Sequence, residues 1–92
     1  MNFGEFIRGE REKRGLSLRT VAQRTEVNAA YLSRVEVGKV APSDQLIRRL
    51  SKVLSCEEDE LLLLAGRLPT ELRAMIEKEP RKVTSALRKL GE

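Results

Sequence analysis

The side chains able to do chemistry in this sequence are mainly cations and hydrogen-bonding groups on short helical segments, and they suit holding a polyanion rather than making or breaking bonds. The chain has no histidine and a single cysteine, Cys56, so neither a zinc cluster nor an internal disulfide can be built. No nucleophile motif and no phosphate-cradling glycine loop is present, so no catalytic residue, metal or cofactor is expected and the protein reads as a non-enzyme. The acidic run Glu57 to Glu60 lies beside leucines and has the character of helix N-terminal charge rather than of a metal-holding carboxylate cluster. Cys56 beside that run reads as an inert filler, because neighbouring carboxylates oppose a thiolate.

Charge is distributed unevenly. The net charge is +4, but residues 1–54 hold 11 Lys/Arg against 6 Asp/Glu, whereas residues 55–92 hold 7 against 8. A basic excess confined to the N-terminal part is what a polyanion-facing surface requires. Within it, the segment after Asn28 is the most informative. At about 100° per helical residue, Tyr31, Leu32, Val35 and Glu36 fall on one arc and Ala29, Ala30, Ser33, Arg34 and Val37 on the opposite one. The second arc is slim and carries one charge, Arg34, which suits insertion into a groove about 12 Å wide.

The elements that must carry this arc are all helical. Phe3, Phe6 and Ile7 start a first helix that stops at Gly15, and Gly9 inside it costs about 1 kcal/mol relative to alanine. Ser17 caps a second helix from Leu18 to about Thr25, and Asn28 caps a third from Ala29 to Val37, ended by Gly38. Pro42 and Ser43 reset the chain before Leu46, Ile47, Leu50, Val53 and Leu54, the clearest amphipathic pattern. Ser55 with Glu58 three residues on has the form of a capping box for a fifth helix that ends at Gly66, which puts Cys56 in its first turn. Leu68, Leu72, Met75 and Ile76 mark a sixth helix, and Pro80 opens a seventh with Val83, Leu87 and Leu90. No strand pattern is present. The longest apolar stretch, Leu61 to Ala65, is far below the roughly 20 residues that span a bilayer, and no signal peptide is legible, so the chain is expected in the cytoplasm with no membrane contact.

The segments Arg11, Gly15-Leu16-Ser17-Leu18, Val21-Ala22, Val27 to Lys39, Pro42-Ser43 and Leu46 to Leu64 together resemble the repressor-like helix-turn-helix regulators of the phage repressor, Cro and XRE type. The resemblance covers residues 3–65. It implies an all-α, five-helix lambda-repressor-like DNA-binding domain whose second and third helices form the helix-turn-helix, with the third as recognition helix. Carried over by position, it places base reading on Ala29, Ala30 and Arg34 and phosphate holding on Ser17, Asn28, Tyr31 and Lys39, with Arg19 as a further phosphate candidate. It also implies a largely buried ion pair between Arg11 and Glu36. Two positions depart from the pattern. Leu18 stands where a phosphate-gripping glutamine is common, and Glu26 stands in the turn where glycine is usual, which predicts an altered turn.

The expected organisation is a helix-turn-helix domain over residues 1–66 and a helical extension over residues 67–92. Helices of about ten residues do not persist alone in water. Leu68, Leu72, Met75, Ile76, Val83, Leu87 and Leu90 are therefore expected to bury against a second copy, giving a homodimer that reads a pseudo-palindromic operator in double-stranded DNA. Packing on the chain's own core is the plainest alternative. An antitoxin-like or adaptor role, with the extension gripping a toxin or protease and DNA binding secondary, is the reading from a different functional class.

Overall fold

Four of the helices begin where a side chain takes over an orphan backbone N–H. In the computed structural model, which describes residues 2–92, the side-chain oxygens of Asn2, Ser17, Asn28 and Ser43 accept from the N–H groups of Glu5, Thr20, Ala30 and Leu46. The helices are α1 (Phe3–Lys13), α2 (Leu18–Arg24), α3 (Ala29–Glu36), α4 (Asp44–Val53), α5 (Glu58–Leu64), α6 (Thr70–Lys78) and α7 (Pro80–Leu90). No strand occurs among the described residues. The fold class is all-α, as the periodicity predicts.

The apolar faces of α1 to α5 meet in one core built on Ile7, Val21, Leu32, Val35, Leu46, Ile47, Leu50, Leu54 and Leu61. Helix α3 packs on both α1 and α2, and α4 packs on α2 and α5. The α1–α3 crossing is close because Gly4 lies there: a Cβ at this position would sit 2.3 Å from the Glu36 carbonyl oxygen and 2.6 Å from that of Val35. Those are backbone atoms, so a side chain here could be admitted only by moving the helices apart, and glycine alone fits the observed crossing.

Three expectations are corrected at element boundaries. Ser55 is not a helix cap; it has φ 53 and ends α4, while α5 starts after Glu57, whose side chain makes no capping bond. Cys56 consequently precedes α5 rather than lying in its first turn. Leu68 lies in the segment before α6, not within that helix. The turn between α2 and α3 is not remodelled by Glu26, which adopts the left-handed conformation itself, with φ 58.

Helices α6 and α7 pack chiefly on each other, and neither has a buried residue. The connection to the core is firmer: Pro69 is buried, and Arg67 reaches Asp44 at the start of α4 with an N–O distance of 3.3 Å. No helix among the described residues is long and apolar enough to cross a membrane.

Candidate nucleic-acid interface

The face of α3 that points away from the core is made by Ala30, Ser33, Arg34 and Val37, all exposed. Its opposite face supplies Leu32, Val35 and Glu36 to the interior, which fixes the rotation of the helix. Ala29 departs from the expected arc. It is half-buried and packs against the core: seven residues before the buried Glu36, it falls about 20° from that side chain around the helix. The outward strip is therefore narrower than the expected arc, and it begins at Ala30.

Arg34 makes no ion pair among the described residues, and the same holds for Arg19 and Lys39, both exposed. Asn28 uses its side-chain carbonyl to accept from Ala30 N–H at 2.7 Å and Tyr31 N–H at 3.4 Å, so the start of α3 is held by its own cap. The Tyr31 hydroxyl accepts from Ser43 N–H at 3.1 Å, which ties α3 to the start of α4 and leaves the phenolic proton to donate elsewhere. The Ser17 hydroxyl is engaged locally: it accepts from Thr20 N–H and donates to Thr20 Oγ1. Helix α6 and helix α7 form no substantial packing layer over α3.

Behind the strip lies a polar anchor. Arg11 Nε and Nη2 donate to the two Glu36 carboxylate oxygens at 2.8 and 3.0 Å, and Arg11 Nη1 donates to the Leu16 carbonyl at 3.0 Å. Only 13% of the Arg11 side chain and 5% of the Glu36 side chain remain exposed. The hydrogen bonds to Glu36 raise the Arg11 pKa further above its already high value, outweighing the opposing effect of burial.

A second brace was not legible in the sequence. Arg49 on α4 donates to the Thr25 carbonyl at 3.1 Å and meets Glu26 at 3.1 Å, so one guanidinium holds the turn of the α2–α3 pair. The buried Thr25 hydroxyl donates back to the Val21 carbonyl at 2.7 Å, closing α2 from inside. Elsewhere, Cys56 Sγ lies 3.7 Å from Glu10, and burial followed by that carboxylate pushes the thiol pKa up. The bond from Lys13 is the largest influence on Glu10 and lowers its own pKa.

Residues 2–64 match the helix-turn-helix domain family model. An HTH-type transcriptional regulator of Mycobacterium tuberculosis is 39% identical over 69 residues, 74% of this chain and 49% of that protein. The transcriptional regulator ClgR of the same organism is 33% identical over 63 residues, covering 68% of this chain and 56% of ClgR. The HTH-type transcriptional repressor RghR of Bacillus subtilis is 36% identical over 66 residues, covering 71% of this chain and 49% of RghR. The chain thus spans about half the length of these curated relatives. With a capped α2, a left-handed turn at Glu26 and an α3 whose outer face is free, the chain belongs to the helix-turn-helix domain family.

Proposed function

We propose that this chain is a DNA-binding transcriptional regulator, acting as a repressor, that lays α3 in the major groove of a pseudo-palindromic operator as a homodimer. The observation that carries the reading is the exposed strip Ala30, Ser33 and Arg34, with Arg34 free of any ion pair among the described residues. An arginine on an otherwise small-residue helix face is geometrically suited to bidentate pairing with guanine, worth about 1 to 3 kcal/mol of discrimination. Asn28, Tyr31, Arg19 and Lys39 flank the strip and supply phosphate contacts. Ser17 adds to these only through the start of its helix, its hydroxyl being already engaged. Ala29, half-buried, contributes close approach rather than a base contact. The repressor assignment draws on RghR, and regulation of transcription draws on all three relatives.

The test is selection from a randomised double-stranded DNA pool with the full chain. One guanine per half-site is expected to depend on Arg34, and Arg34→Ala is expected to relax preference there by about tenfold or more. Unchanged preference in that variant overturns the reading. Binding should also weaken with salt, by a log–log slope of about −0.9 for each phosphate contacted.

The exposed apolar residues of α6 and α7 support a second reading, in which the extension grips a different protein and DNA binding is secondary. Light scattering of the purified chain separates the two: a homodimer favours the first, whereas a monomer that forms a stoichiometric complex with a toxin or protease favours the second.

A further inference from the structure

Val37, the residue that caps the end of α3, is 60% exposed, and with Leu63 it is one of two exposed large hydrophobic residues over the span from α1 to α5. Its backbone remains close to helical at φ −88 and ψ 2, and its N–H still donates to the Ser33 carbonyl at 3.1 Å. The side chain therefore continues the register of α3. On the wheel it falls between Ser33 and Arg34 and almost in line with Ala30, at the centre of the outward strip. At this exposure the isopropyl group is not covered by its own chain.

An exposed isopropyl group at the centre of a strip that otherwise offers two methyl-sized or hydroxyl side chains and one guanidinium has one best-matched group on the base edges of a major groove. The edges of guanine, cytosine and adenine are read by their polar donors and acceptors, and thymine alone adds a projecting methyl group, at C5. Val37 lies three residues beyond Arg34, an axial distance of about 4.5 Å, against a base-pair step of about 3.4 Å. With α3 running along the groove, the two side chains would address neighbouring base pairs.

We propose that Val37 is a specificity residue that packs on the C5-methyl of a thymine adjacent to the base pair read by Arg34. This rests on α3 being the recognition helix, and it makes the recognised element a guanine next to a thymine rather than a lone guanine.

The experiment uses the selected site and the full chain, with each thymine of one half-site replaced in turn by deoxyuridine, which removes the C5-methyl and nothing else. For the unaltered protein, one such replacement next to the Arg34-dependent guanine is expected to weaken binding about fourfold, the effect of one buried methyl-sized group. Val37→Ala is expected to bind the thymine site about fourfold more weakly and to lose its sensitivity to that replacement. If Val37→Ala keeps the full deoxyuridine penalty, or if no thymine in the half-site is methyl-sensitive, the inference is overturned. It is likewise overturned if Val37→Ala acts by shifting the oligomeric state in light scattering. Should Arg34→Ala still relax the guanine while Val37 shows no coupling, only this inference falls. Should neither variant alter preference, the recognition-helix reading falls with it.

Discussion

Arg11 and Arg34 are both arginines near α3, yet their surroundings assign them opposite work. Arg11 is held by three hydrogen bonds and is almost covered, while Arg34 is exposed and unpaired among the described residues. Removing one partner of a covered pair leaves the other charge without compensation, at a cost of about 3 kcal/mol or more. Arg11→Ala is therefore expected to lower the unfolding free energy by about 3 kcal/mol in urea titrations, with base preference of the remaining folded protein unchanged. Arg34→Ala should give the mirror image, a stability change within about 0.5 kcal/mol and altered preference. The wheel puts Glu36 at the edge of the buried arc, where an uncompensated carboxylate would be costly, so the need for a cation was readable; that Arg11 supplies it came from the resemblance. Ala29, seven residues earlier and about 20° from Glu36 around the helix, sits on that same edge, so a sharp division into two arcs put it on the wrong side.

Among the helices, glycines that look alike in sequence separate once the α1–α3 crossing is known. Gly4 and Gly9 both interrupt an otherwise ordinary helix. A Cβ on Gly4 would collide with two backbone carbonyls of α3, whereas one on Gly9 would meet nothing within 4 Å. Gly4→Ala should therefore force α1 and α3 apart and cost about 2 to 3 kcal/mol, while Gly9→Ala should stabilise by about 1 kcal/mol through helix propensity. Urea midpoints moving in the same direction for both variants would contradict this packing. The cap signals of α2 and α3, Ser17 and Asn28, were readable because a capping oxygen acts on N–H groups two or three residues away. Ser55 misled because a local pattern that fits a capping box cannot reveal a backbone already committed to closing α4. The Arg49 brace was hidden for the converse reason: it joins residues 24 apart, and no periodicity encodes that pairing.

At the scale of the whole molecule, a well-packed reading head carries a hairpin that has little to pack against. Met75 is 60% exposed, Leu87 59% and Leu90 82%, so α6 and α7 leave their apolar stripe largely in water. On α7 that stripe runs through Val83, Leu87 and Leu90, opposite Arg81, Ser85 and Arg88, which is the arrangement of a helix with one face to bury. Two reading heads joined through such stripes could meet half-sites one DNA turn apart, about 34 Å, with each half contributing its own Arg34 contact. The expected result of replacing Leu87 and Leu90 together by aspartate is a monomer near 10.4 kDa in light scattering. Its reading head should keep its urea transition, because α1 to α5 enclose their own core. Affinity for the full operator should fall by well over tenfold, while the base preference within a single half-site persists, since Arg34 is untouched. A dimer that survives both aspartates would move the joining surface off α7, and the exposed Leu63 on α5 would then be the next residue to alter.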